Sequence, residues 1–189
     1  MTSLNMYEIY DLLNRPGPLW LSGIDLSETI LVKAKLINAV LTKANLSKSH
    51  LRGALLNEAD LRGALLTGAD LRGANLSSVD LNWAVLNDAD LSYAVLSEAN
   101  LSEANLINSD LSGANLHSAN LSGANLTGAN LSKAILSKAI FAQAILTDTI
   151  LTDAILTDAY LEDAIMDDRQ LLHVGSLSGA ILPDGSKHM

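Results

Sequence analysis

From Leu21 to Met166 every fifth position is large and apolar, and all thirty of these centres are leucine except Phe141 and Met166. Two residues before each centre lies a second, smaller apolar position. It holds Ala44, Ala54, Ala59, Ala64 and many more alanines, with Thr29, Ser49, Val79, Ser109 and Thr149 among the exceptions. The other three positions are mostly polar. Neither regular element accepts a spacing of five. On an α-helix five residues rotate by about 500°, so successive leucines lie roughly 140° apart and spread around the axis. On a strand an odd spacing sends each leucine to the opposite face. The chain must instead turn by the same amount every five residues, pointing the centre and the small residue before it inward each time. The pattern predicts a coil with short flat sides and one corner per repeat.

The A-[D/N]-L-x-x signature of Ala69–Leu76 (ADLRGANL) and Ala119–Ala134 (ANLSGANLTGANLSKA) closely resembles that of the pentapeptide-repeat proteins, over about 150 of the 189 residues. The resemblance implies an all-β fold, a right-handed quadrilateral β-helix with four pentapeptides per coil, a number that the spacing alone does not supply. Thirty repeats then make about seven and a half coils, a rod ~36 Å tall at the usual ~4.8 Å between strands. Glycine two residues after the centre (Gly53, Gly63, Gly68, Gly73, Gly113, Gly123, Gly128) suits a corner of positive φ, as in a type II turn. Trp83 and Tyr93 occupy that same position and fit such a turn badly, so corners of another type are expected there.

An open stack of coils needs capped ends. Residues 1–20 read as an N-terminal cap: Ser3 is a candidate N-cap, Leu4, Ile9, Leu12 and Leu13 have helical spacing, and Pro16 and Pro18 stop the helix. The repeat body spans 21–168. From 169 to 189 the spacing runs Met166, Leu172, Leu177, Leu182, one residue out of phase and then regular, and predicts a distorted last coil and tail. The ending GAILPDGSKH resembles those of cyanobacterial members of the family.

Composition narrows the class. Aromatic residues are only 4% of the chain and the single Phe is Phe141, so the core is narrow and built from medium and small side chains. The absence of cysteine removes disulfides and thiolate metal sites. No apolar run approaches a membrane span and the first residues lack signal-peptide character, so a cytoplasmic protein is expected. The net charge of −9 is unevenly placed. Residues 33–72 carry seven basic and three acidic side chains, 73–131 carry six acidic and no Lys or Arg, and 139–168 carry seven acidic and again no Lys or Arg. Most of this surface is unsuited to nucleic acid.

No constellation for catalysis stands out. His50, His117, His173 and His188 are scattered, the glycines follow the corner period, and a leucine–alanine axis leaves no pocket; no enzyme activity, cofactor or metal is expected. Columns matter more, because residues twenty apart stack. Asp70, Asp90 and Asp110 form one acidic column and Asp60 with Asp80 another. Arg62 and Arg72 lie two residues beyond Asp60 and Asp70 and offset them, whereas Asp90 and Asp110 have no such partner in sequence. Further along, Ile135, Ile140, Ile145, Ile150, Ile155 and Ile165, with Tyr160, replace Asp and Asn at the outward position before each centre. This belt is a candidate association surface.

These features point to a non-catalytic interaction, scaffold or regulatory protein that binds a protein partner or forms a homodimer through its C-terminal coils. The resemblance offers alternatives: a duplex-DNA mimic that binds DNA gyrase, which the acidic stretch 80–110 fits, or a structural or stress protein without a dedicated ligand.

Overall fold

The computed structural model describes residues 6–13 and 17–189. Helix α1, Met6–Leu13, lays Ile9 and Leu12 against the first coil. The candidate N-cap Ser3, and Leu4 and Pro16, lie outside the described residues. Beyond Leu19 the chain is a right-handed quadrilateral β-helix. Its parallel bridges join residues twenty apart, from Trp20 with Val40 to Ile145 with Ile165. Four pentapeptides therefore make one coil. Seven coils fill 21–160, and an eighth, one residue longer, ends near Ile181. Each side contributes a single bridged residue per coil, which is why no strand-like alternation is visible in the sequence. No helix among the described residues is long and apolar enough to cross a membrane.

The reason for a period of five appears when backbone donors are followed through one repeat. Leu101 N–H donates to Asn120 O in the next coil at 2.7 Å, and Glu103 N–H to Ser122 O at 2.9 Å. Ala104 N–H closes the corner on Leu101 O at 3.1 Å, and Asn105 N–H reaches back to Ala84 O at 2.9 Å. The fifth donor, Ser102 N–H, has no backbone partner and is taken by the side-chain Oδ1 of Asn100 at 3.2 Å. Thus the Asp or Asn of the repeat is an Asx cap on the corner that follows it. The central leucines are at most 3% exposed and the neighbouring alanines mostly 0–2%, so the axis is filled. Ser49 and Ser109, at alanine positions, return their hydroxyls to Leu46 O and Leu106 O at 2.7 Å.

The corners differ from expectation. Every corner residue from Gly23 to Asp163 has positive φ, including Trp83 at 61° and Tyr93 at 58°. There is one corner type, because the ladder on either side fixes the backbone and each side chain accepts the left-handed conformation at roughly 1–2 kcal/mol. Both rings escape into solvent, Trp83 65% and Tyr93 73% exposed. Tyr93 leans across the corner of the next coil, where a Cβ on Gly113 would come within 2.7 Å of its Cε1.

The last coil also corrects the sequence reading. Leu172 is 72% exposed, and Leu171 packs against the core instead. The extra residue is absorbed by a short 3-10 turn, Asp168–Leu171, capped by Asp167. That turn draws Gln170 N–H to Asp167 O, and the Gln170 side-chain amide takes its place, donating to Thr149 O at 2.7 Å and Leu146 O at 2.6 Å. Bridges then resume one residue out of step, Ile155 with Ser176 and Tyr160 with Ile181. An antiparallel bridge from Ile181 to Lys187 closes one edge of the stack. Gln170→Ala leaves two carbonyls without this donor and should destabilise the final coil by about 1–3 kcal/mol. Hydrogen exchange should show faster exchange from 144 onward, with the middle coils unchanged; uniform protection in the variant would contradict the capping role.

Candidate functional site

Four walls run the length of the rod, and each is named here for one of its outward residues. The Asp60 wall carries Val40, Asp60, Asp80, Asn100, Asn120, Ile140 and Tyr160. Next around the coil comes the Leu65 wall, with Asn45, Leu65, Val85, Asn105, Asn125, Ile145 and Ile165. The Asp70 wall follows with His50, Asp70, Asp90, Asp110, Asn130 and Ile150, and then the Asn75 wall with Leu55, Asn75, Val95, Asn115, Ile135 and Ile155. Both acidic columns stack as expected, on opposite walls. The two walls between them carry no charged bridging residue beyond Asp25 and Lys35 in the first coil. Charge thus alternates with a ten-residue period, Asp at 60, 70, 80 and 90, and Leu, Asn or Val at 65, 75, 85 and 95.

The acidic columns are more engaged than their composition suggests. Arg62 donates through Nε to Asp60 Oδ1 at 2.8 Å and through Nη2 to Oδ2 at 2.6 Å, and its Nε lies 3.7 Å from Asp80 Oδ2. Arg72 repeats this, at 2.8 and 2.7 Å to Asp70 and 3.6 Å to Asp90. Asp90 therefore does have a cationic partner, contrary to the sequence reading, because an arginine stem long enough to reach its own coil's carboxylate also reaches the next coil. Asp110 accepts from Asn130 Nδ2 at 3.1 Å. All five carboxylates also cap a backbone N–H through Oδ1, from Arg62, Arg72, Asn82, Ser92 and Ser112. The capping role was readable in the Asx-before-leucine pattern and was missed, because a cap needs the local turn and not only the column.

Hydrogen bonds from Arg62 hold the Asp60 carboxyl below its ordinary 3.8, and those from Arg72 do the same for Asp70. Both arginines are pushed up in turn by the same bonds. Elsewhere on the surface, Lys48 Nζ lies 3.9 Å from Glu28.

The isoleucine belt is exposed as expected, Ile135 39%, Ile140 40%, Ile150 50%, Ile155 39%, Tyr160 37% and Ile165 58%, with Ile145 half-buried. Two of its residues stack on each wall except the Asp70 wall, which has Ile150 alone. Polar corners separate these short stacks, so the belt is four strips and not one continuous patch.

Depressions lie at corners and at the C-terminal end. One of about 490 Å³ is lined by Lys33, Arg52 and Arg72 beside Gly53 and Gly73, and another of about 460 Å³ by Asp148, Ile165, Met166 and Gln170. A third, of about 430 Å³, is lined by Leu171, Leu172, Leu177, Leu182 and Pro183. Among the described residues the buried polar side chains are Ser49, Ser92, Ser109 and Thr149, so no titratable group lies in the interior.

The family model described as pentapeptide repeats matches in eight copies, over 21–57, 54–92, 84–123, 94–132 and 124–163. Among solved structures, the chain is 38% identical to HetL, a pentapeptide repeat protein involved in heterocyst differentiation regulation from the cyanobacterium Nostoc sp. strain PCC 7120. That match covers 89% of this chain and 81% of HetL, with a TM-score of 0.44. It is 31% identical to a pentapeptide repeat protein of the Arabidopsis thaliana thylakoid lumen, over 60% of this chain and 66% of that one, TM-score 0.44. QnrB1, a plasmid-mediated fluoroquinolone resistance protein, is 20% identical over 82% of this chain and 94% of its own, TM-score 0.45. No curated protein matches the chain.

The Asp70 geometry separates capping from ion pairing. Asp70→Asn keeps an Oδ1 for Arg72 N–H and loses only the exposed ion pair, at about 0.2–1 kcal/mol. Asp70→Ala also orphans the N–H and should cost about 1 kcal/mol more. Because the folded pKa is depressed, the Asp70 contribution is complete above the unfolded value near 3.8 and fades as pH falls through the lower folded value. Melting curves should show Asp70→Asn less acid-sensitive than wild type below pH 4; equal sensitivity would remove the ion pair as the cause.

Proposed function

The chain belongs to the pentapeptide-repeat family, and on that premise we propose that it is a non-catalytic binding scaffold whose C-terminal coils contact a protein partner. A filled axis leaves side chains on the outer walls as the groups able to recognise anything. The observation that carries the reading is the change of those side chains in the last coils. Outward positions that hold Asn on all four walls from Asn115 to Asn130 become Ile135, Ile140, Ile145, Ile150, Ile155, Tyr160 and Ile165 in the coils that follow. Asp and Asn cap the corner there and isoleucine cannot, so each replacement gives up a cap for exposed hydrocarbon. Apolar strips rimmed by Asp148, Asp153, Asp158 and Asp163 have the make-up of an interface, hydrocarbon at the centre and charge at the rim.

The acidic columns fit recognition less well. Four of their five carboxylates share two arginines, and all five serve corners, so little of their charge is free to imitate a phosphate backbone. The gyrase-binding alternative is accordingly set aside.

Asparagine is the natural test substitution, since the fold already carries it at the same position in the neighbouring coils. A variant with Ile135, Ile140, Ile150 and Ile155 changed to Asn should keep its melting temperature within a few degrees. In affinity capture from a lysate of the source organism, wild type should retain a specific protein that the variant loses. Equal retention by both would move the contact away from the belt. Retention by neither would end the scaffold reading.

A further inference from the structure

The Leu65 wall has a symmetry of its own. From Leu65 to Ile165 its outward residues run aliphatic, aliphatic, amide, amide, aliphatic, aliphatic: Leu65, Val85, Asn105, Asn125, Ile145, Ile165. Read backwards the order of types is the same. We propose that two copies of this chain pair antiparallel through the Leu65 wall, about a two-fold axis lying between the levels of Asn105 and Asn125. That rotation sets Leu65 against Ile165, Val85 against Ile145 and Asn105 against Asn125. Each aliphatic group then meets another, and each amide finds an amide, so no polar group is buried against hydrocarbon. Such a contact is isologous, the commonest arrangement of homodimers.

Three comparisons single out this wall and this direction. Reversal of the Asp60 wall sets Asp60 against Tyr160 and Asp80 against Ile140, which buries carboxylates against apolar side chains, and reversal of the Asp70 wall stacks Asp90 on Asp110. The Asn75 wall is uncharged from Leu55 onward, but reversal sets Asn75 against Ile135 and Val95 against Asn115, which strands two amides in hydrocarbon.

Direction is fixed by the flanking corners. Antiparallel pairing places Arg62 of one copy opposite Glu162 and Asp163 of the other, and Lys43 opposite Asp184. Parallel pairing would bring the two flanking corners together level by level, Lys43 against Lys48 and Glu162 with Asp163 against Asp167 with Asp168. Like charges would then meet at both ends of the contact. One opposing pair survives in the antiparallel arrangement, Asp88 against Asp148 at the second corner, and it weakens the dimer.

Size sets the strength. Six coils at ~4.8 Å make a contact ~29 Å tall, and opposite walls of one rod, packed ~10 Å apart across its filled axis, make each side of the square ~10 Å wide. That is on the order of 300 Å² of planar contact per partner, below the ~800 Å² of a standard stable interface. The dimer is therefore concentration-dependent; it shares Ile145 and Ile165 with the isoleucine belt, and Leu65 and Val85, which lie outside the belt, allow it to be tested apart from binding of another protein.

The chain has no cysteine, so single cysteines report the pairing cleanly. Val85→Cys and Ile145→Cys variants, mixed and treated with a short bifunctional maleimide, should form a crosslinked dimer about tenfold faster than either variant alone. Sedimentation should show the 20.0 kDa chain shifting toward twice that mass as concentration rises. Leu65→Lys should remain monomeric, Val95→Lys on the Asn75 wall should behave as wild type, and Asp88→Asn should dimerise several-fold more tightly. Each variant changes an outward position, and circular dichroism checks that it folds. Crosslinking of each single variant with itself as fast as the mixture would overturn the antiparallel arrangement. A monomer at every concentration, or a dimer abolished by Val95→Lys and untouched by Leu65→Lys, would overturn the proposal. A Leu65→Lys monomer that still captures another protein would leave the scaffold reading standing by itself.

Discussion

Everything in this structure depends on the hydrogen-bonded pairing of residues twenty apart. A coil can stack on its neighbour only if all four sides take the same number of residues, because one extra residue puts every later bond out of step. Thirty repeats keep that number without an insertion. Where the chain finally breaks it, at 168–171, the cost is visible: a backbone donor is lost from the ladder and a glutamine side chain has to reach in as its substitute. The same constraint forbids projecting loops along the coils, keeps water from the axis and confines recognition to side chains on flat walls.

Much of this was legible in the sequence because the constraint is periodic. Leucine every fifth residue excludes helix and strand and demands a regular turn, and the small residue two before it marks the tighter inward site. The number of sides was not legible from spacing, since five-residue turns of a triangle or a square repeat the same letters; the family resemblance supplied it. Trp83 and Tyr93 misled for a physical reason. Side-chain preference at a corner is worth about 1–2 kcal/mol, whereas changing the corner would break ladder bonds on both sides of it. Leu172 misled because hydrophobicity counts residues, and a 3-10 turn counts them differently from a corner. Asp90 looked unpaired because its partner, Arg72, is eighteen residues away in sequence and one coil away in space.

The surface carries a second, slower code that a reading by fives overlooks. Alternate repeats go to alternate walls, so a ten-residue alternation of Asp with Leu, Asn or Val separates charge onto two opposite walls and leaves the walls between them neutral. An outward aspartate on a charged wall caps a corner, and at 60, 70, 80 and 90 it also pairs with an arginine. On a neutral wall an aliphatic or amide residue stands in its place from Leu55 to Ile165.

Asn and Asp suit the outward site because they complete the hydrogen-bond account of each corner. Every one of the outward Asp and Asn residues from Asp25 to Asn130 accepts the N–H two residues on, as Asn115 does for His117 at 3.1 Å. Isoleucine completes nothing there, although its preference over asparagine for a strand-like wall, on a scale that spans ~1 kcal/mol, is comparable to the lost cap. Aliphatic residues also stand uncapped at this site earlier in the rod, at Leu55, Leu65, Val85 and Val95, so local stability accepts either kind of residue. What changes after Asn130 is that isoleucine takes the site on all four walls within one coil, from Ile135 to Ile150. Covering those strips against another surface would add to that balance, since hydrocarbon at ~25 cal/mol per Å² repays a missing cap once about 40 Å² is covered.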